Sequence, residues 1–255
     1  MNKNELETTI NKYFSNEKNT VHYYGSGNGA EEFLQMQSDS KMDYRDAPDM
    51  YIKKNNLVYI VEHFEFDCYK KTRKGSKNKQ EQARINKKSE TFPATEEGVI
   101  FHDIIHGESS FDNYINNAIN AFEDHYKHID VYIENLKRDS IINENDIVKV
   151  VFFIEDVSPL GSIAIERKGY NANMIAIVLA QCKQFIELIK DREKVNYVIA
   201  CSETGNNNSI WFIDRNDIDD YLKNVVDFEN MDFLSCEPHV IEGKMLISNE
   251  KMQKI

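Results

Sequence analysis

Apolar positions recur along this chain at two periods, and the changes from one to the other mark out its elements. Leu6, Ile10, Tyr13 and Phe14 stand three and four apart, which predicts a first helix over 5–18. Tyr24-Gly25-Ser26-Gly27-Asn28-Gly29 follows as a flexible turn, and Ala30-Glu31-Glu32-Phe33-Leu34 opens another helical turn. The glycines lack the preceding strand and the spacing of a phosphate-binding loop, so they read as hinge or loop. Met50-Tyr51-Ile52 and Leu57-Val58-Tyr59-Ile60-Val61 are β-branched and aromatic runs. Joined through Lys53-Lys54-Asn55-Asn56, they predict a hairpin led in by Pro48-Asp49. The second strand continues to Asp67. Alternation puts Glu62, Phe64 and Phe66 on one face and His63, Glu65 and Asp67 on the other.

Beyond the hairpin, Gly75, Ser76 and Pro93 mark a long insertion over about 68–110. Ser110 then caps a long amphipathic helix over about 110–138, in which Phe111, Tyr114, Ile115, Ala118, Ile119, Phe122, Tyr126, Ile129, Ile133 and Leu136 share one face. Ile147 to Ile154 is a near-continuous apolar run, the pattern of a central strand, and it ends on Glu155-Asp156 before the turn Ser158-Pro159-Leu160-Gly161. Met174 to Ile189 is apolar on nearly all sides and predicts a buried helix. Tyr197–Cys201 and Ile210–Ile213 read as strands around Gly205-Asn206-Asn207-Asn208, and Asp214 caps a last helix through Leu222. With no internal repeat and no break in composition, the order predicts a single mixed-sheet α/β domain with flanking helices.

Composition narrows the classes. The 255 residues are 41% hydrophobic and 29% charged, enough for a full core and typical of a soluble globular chain. No apolar run approaches the ~20 residues that cross a bilayer, and the opening Met1-Asn2-Lys3-Asn4-Glu5 is polar, so neither a membrane span nor a secretory signal is expected. Cys68, Cys182, Cys201 and Cys236 show no Cys-x-x-Cys spacing and read as reduced thiols of a cytoplasmic protein. A net charge of −12 argues against coating nucleic acid by bulk electrostatics, yet the sign reverses locally. Lys70, Lys71, Arg73, Lys74, Lys77, Lys79, Arg84, Lys87 and Lys88 face one acid, Glu81, giving +8 here and −20 for the rest. The first six are candidate contacts to DNA phosphates. The plainer reading is a solvated loop kept soluble by its lysines.

Chemistry enters at the hairpin. Asp49 at its start and Glu62 on its second strand place two carboxylates near one another, the oxygen donors that Mg²⁺ or Mn²⁺ requires. The His63 carbonyl is a third candidate ligand, and water on the ion would attack a phosphodiester. Glu62 among Ile60, Phe64 and Phe66 is costly to bury unless paired or bound to metal, although acidic residues are common enough here for a chance pair. His102 with His106, and His125 with His128, have helix-compatible separations without a third ligand nearby. No Gly-x-Ser-x-Gly turn supports acyl transfer.

Gly25-Ser26-Gly27 with Ala30-Glu31-Glu32, then Pro48-Asp49, then Val58-Tyr59-Ile60-Val61-Glu62 resemble the PD-(D/E)xK, restriction-endonuclease-like nuclease superfamily. Within it they resemble the layout of archaeal-type Holliday-junction resolvases, over roughly residues 24–67. The resemblance implies a restriction-endonuclease-like core in which Glu31 or Glu32, Asp49 and Glu62 are catalytic or metal-binding, and the family often dimerises. One departure stands out, because the lysine expected two residues after the glutamate is Phe64. Lys70, Lys71 and His63 are the nearest substitutes in sequence, with His63 on the wrong strand face. A second register, Asp156 with Glu166-Arg167-Lys168, keeps the lysine but is interrupted by Pro159 and Gly161. Glu155 or Asp156 is a further candidate to complete the first site. The expectation is a metal-dependent DNA nuclease. Usage rich in Asn, Lys and Ile suggests an AT-rich bacterial or phage genome, a source that suits DNA processing or phage defence. The alternative is a non-catalytic nuclease-like module that binds a protein or nucleic acid.

Overall fold

Two asparagines turn the chain at the hairpin, and the rest of the sheet is built outward from there. In the computed structural model β3 (Met50–Lys54) and β4 (Leu57–Phe66) pair antiparallel around Asn55, whose φ of 55° is a left-handed conformation that asparagine tolerates. β2 (Met42–Tyr44) lies antiparallel outside β3. On the other side β8 (Ile147–Asp156) runs parallel to β4, with Glu62 beside Phe152 and Glu65 beside Glu155. β11 (Tyr197–Thr204) is parallel to β8, β12 (Asn207–Asp214) antiparallel to β11, and β1 (Thr20–Tyr23) parallel to β12. The result is one mixed sheet in the order β1-β12-β11-β8-β4-β3-β2. The structure describes residues 3–14, 19–23, 27–72, 75–76, 80, 83, 100–105, 110–158, 162–168, 171–204, 207–228, 232–235 and 239–244.

Parallel neighbours need a crossover, and helices supply it. Between β4 and β8 run α3 (Phe111–Tyr126) and α4 (Ile129–Arg138); between β8 and β11 runs α5 (Lys183–Lys190). These pack on the face that carries Val58, Ile60, Phe64 and Phe66, together with Phe152 and Ile154. The opposite face, with Tyr59, Val61, Val151 and Phe153, is covered by α1 (Lys3–Phe14) and α2 (Asn28–Asp39). Strand alternation thus feeds two cores, one on each side of the sheet. A short α6 (Ile218–Tyr221) follows β12 after a single 3₁₀ turn at Arg215–Asp217, which Asp214 caps by accepting Asn216 N–H at 2.9 Å.

Three smaller sheets are also present among the described residues. β5 (Lys71–Thr72) pairs with β6 (Gly75–Ser76), β7 (Ile100–Ile105) with β14 (His239–Lys244), and β9 (Ser162–Lys168) lies between β10 (Asn171–Ala176) and β13 (Asp232–Ser235). Most of the insertion expected over 68–110 lies outside the described residues. Among those described, no helix is long and apolar enough to cross a membrane.

Three sequence expectations change. The helix expected over 110–138 is two, because at Lys127-His128 the His128 N–H bonds the His125 carbonyl at 3.0 Å, a tightened turn that ends α3 and re-aims α4. Ser110 caps α3 as expected, accepting Asn113 N–H at 3.0 Å. The buried helix expected over Met174–Ile189 is a strand end, a 3₁₀ turn at Leu179–Gln181 and only then α5; a short apolar run suits a strand and a buried helix equally. Asn28-Gly29 belongs to α2 rather than to a hinge, and Gly29 has a packing reason. A Cβ there would collide with Asp214 Oδ2 and stand 2.5 Å from Tyr197 Cε1. Gly29→Ala is therefore expected to lower stability by roughly 1–3 kcal/mol despite the better helix propensity of alanine, as read by thermal unfolding.

Candidate active site

Glu62 lies on the β4 face shared with Ile60, Phe64 and Phe66 and is only 6% exposed. A carboxylate so placed needs donors, and three reach it. His125 Nδ1, from the last turn of α3, stands 2.8 Å from Oε1. Tyr132, from α4, donates its hydroxyl to the same oxygen at 2.7 Å. The Asp49 N–H approaches Oε2 at 3.3 Å. Asp49 itself, one residue before β3, accepts the His63 N–H on Oδ2 at 2.8 Å. The hairpin therefore sets the two carboxylates side by side, and the break between α3 and α4 lets one helix end and the next helix both point at Glu62.

Charge is crowded here. Burial pushes the Asp49 carboxyl above its ordinary range, and the negative Glu62 adds to the rise against the hydrogen bond from His63. Burial and the same Glu62 raise the Tyr132 phenol, which keeps it a proton donor at neutral pH. Because an ionised Glu62 can only accept, the contact at Oε1 assigns the proton of that pair to His125 Nδ1. The His125 ring lies flat on Phe64, with centroids 4.5 Å apart and planes 14° from parallel. Its side chain is 30% exposed, and Nε2 has no hydrogen-bond partner among the described residues.

The remaining candidates are dispersed. The His63 ring points to the opposite face, against Phe153, so His63 meets the carboxylate pair through its main chain alone. Glu32 is taken up elsewhere: its Oε1 accepts from Tyr59 OH and, at 2.6 Å, from Lys149 Nζ, on the sheet face away from Glu62. Glu31 is exposed on α2. The structure thus does not bring either helix glutamate to Asp49 and Glu62, because α2 covers the other side of the sheet. Lys70 and Lys71 are exposed; Arg73, Lys74, Lys77 and Lys79 lie outside the described residues, as do Gly25, Ser26 and His106. In the second register Asp156 is half-buried, accepting Tyr114 OH at 2.8 Å and Ser158 N–H at 2.9 Å, and Glu166 and Lys168 belong to β9 of a different sheet, with their side chains outside the described residues. His102 lies on β7, its side chain likewise undescribed, and His128 does not join His125 at the site but precedes α4.

Glu155 anchors a separate cluster on the α1 side. Its Oε1 accepts from Lys12 Nζ and Tyr13 OH, both at 2.9 Å, while His63 Nε2 stands 3.4 Å from Oε2 without hydrogen-bond alignment. Burial favours the neutral acid, but His63, Lys12 and Tyr13 outweigh it and bring the Glu155 carboxyl down to about 2 from 4.5. A depressed carboxyl contributes stability that is present above the unfolded value and lost as pH falls toward the folded one. Acid unfolding is accordingly expected to steepen between about 4.5 and 2, and Glu155→Gln is expected to flatten that part of the stability–pH curve measured by urea denaturation.

Sequence reasoning missed the roles of His125 and Tyr132. They lie on two helices separated by the turn at Lys127-His128, so no spacing within one helix signals that both meet Glu62. Comparison of the chain with protein-family models, with curated proteins and with solved structures finds no match.

Proposed function

We propose that this chain is a metal-dependent nuclease that hydrolyses DNA phosphodiester bonds, with Asp49 and Glu62 as the ligands of Mg²⁺ or Mn²⁺. The observation that carries the reading is the carboxylate pair itself, Glu62 buried and Asp49 half-buried: two acids brought together where one already has a raised proton affinity leave negative charge that a cation neutralises. The donor set fits such an ion. Glu62 Oε1 is held by His125 and Tyr132, the kind of outer support that metal-binding carboxylates take, while among the described residues Oε2 has only the long contact to Asp49 N–H. Among the described residues no three His, Cys, Asp or Glu side chains are grouped to hold an ion alone, so backbone oxygen and water would fill its remaining positions. When bound, the ion supplies Lewis acidity at a phosphoryl oxygen.

The basic segment supports DNA as the substrate. It follows directly after β4, the strand that carries Glu62. Binding through it would be strongly salt-dependent.

A second reading, a binding module without catalysis, has one observation in its favour: Phe64 where the resemblance expects lysine. Cleavage of labelled single-stranded, duplex and branched DNA in Mn²⁺ and in Mg²⁺ separates the two. Metal-dependent cutting by wild type that vanishes in the Asp49→Ala, Glu62→Ala double variant is the expected result. DNA shifted at low salt with no cutting in either metal would favour the binding module.

A further inference from the structure

We infer that His125 is a catalytic residue of this site, the base that meets the attacking water in place of a strand lysine; the inference rests on the nuclease reading above. A water attacking a phosphodiester needs a proton acceptor beside the carboxylate pair. Tyr132 reaches Glu62 but is buried and spends its hydroxyl proton on Oε1. His63 is turned to the other face. His125 alone among the described side chains combines a direct bond to Glu62, partial exposure and a ring nitrogen with no described partner.

The arrangement has the logic of a carboxylate–histidine pair. Glu62 accepts from Nδ1–H, which leaves the lone pair on Nε2 directed away from the carboxylate, and Phe64 fixes the plane of the ring by stacking under it. Phe64 is therefore not an empty lysine position: it is the plate that carries a group delivered from α3. In the step proposed, Nε2 accepts a hydrogen bond from water, the water oxygen bonds to phosphorus and its proton passes to Nε2. The bond from phosphorus to the leaving oxygen breaks, and that oxygen takes a proton from solvent.

His125→Asn is the informative variant, because the asparagine amide can still donate to Glu62 while the outward nitrogen is gone. The expected result is a fall in kcat of about 100-fold or more, with KM and Mn²⁺ affinity within a few-fold of wild type. Phe64→Leu, which keeps apolar bulk but removes the stacking plate, is expected to give a smaller loss in kcat, and thermal unfolding of both variants confirms that they fold. Independently of turnover, diethyl pyrocarbonate should modify His125, read by mass spectrometry, and duplex DNA in Ca²⁺ should protect it. Cutting by His125→Asn at the wild-type rate, or a loss matched by an equal loss of Mn²⁺ binding, overturns the base role and leaves the nuclease reading standing. A wild type that cuts nothing in Mn²⁺ overturns both; protection of His125 by DNA in that case would make it part of a binding surface.

Discussion

Asp49→Asn is expected to make the protein more stable at neutral pH by roughly 0.5–2 kcal/mol while reducing metal-dependent cleavage at least about 100-fold. The two effects share one cause. Burial and Glu62 raise the Asp49 carboxyl above its ordinary 3.8, so its ionised form strains the fold. A group raised in the folded state contributes stability that is full below the unfolded value and lost as pH rises through the folded one. Wild type therefore bears the cost at pH 7, and asparagine, which can still accept the His63 N–H, removes it. The advantage of the variant should disappear below about pH 3.8, which urea denaturation across pH can follow. Mn²⁺ should raise the Tm of wild type and leave that of Asp49→Asn unchanged, since an ion stabilises only the state that binds it.

Phe152→Ala is expected to cost about 3–5 kcal/mol, a large part of the stability of a typical domain. Phe152 is fully buried in the middle of β8, edge-on to Phe122 of α3 at 4.9 Å and to Phe64 of β4 at 5.6 Å. The cavity would open beneath Phe64, and so beneath the ring of His125. In a chain of this length each kcal/mol lowers Tm by roughly 2–4 °C, so the shift should be plain by calorimetry. Any cleavage that remains is expected to fall further than folded protein alone accounts for, because the plate under His125 has lost its support.

The hairpin was legible because its pattern is local. Alternation from Leu57 to Asp67 is enough to place Glu62 with Phe64 and Phe66, and Asn55 marks the turn without reference to the rest of the chain. The near-continuous apolar run from Ile147 announced a strand covered on both faces, and Ser110 announced a helix start. What could not be read was which helix meets which strand. His125 and Glu62 are joined by a crossover whose path depends on the whole of α3 packing on the sheet, and the sequence of neither element states it. The same holds for Glu32: a glutamate at the start of a helix looks available until α2 is laid on the far face, where Lys149 and Tyr59 claim it. The end of α3 was missed because Lys127 and His128 are ordinary helix formers, and the turn there is a tertiary choice.

The pairing of β1 with β12 bears on the order in which the protein assembles. Thr20 pairs with Ser209, so one edge of the sheet joins two strands far apart in the sequence, with β1 made before β12. The β2-β3-β4 meander needs only neighbouring sequence and can form while the chain is still being extended. The β1 edge must wait until β11 and β12 have been made and docked. Contacts of such long separation form slowly, and until they do β1 and the inner edge of the growing sheet are open to other chains. Assembly of this edge therefore depends on β1 remaining unpaired until β12 is in place, and conditions that slow translation or crowd nascent chains should act on that interval first.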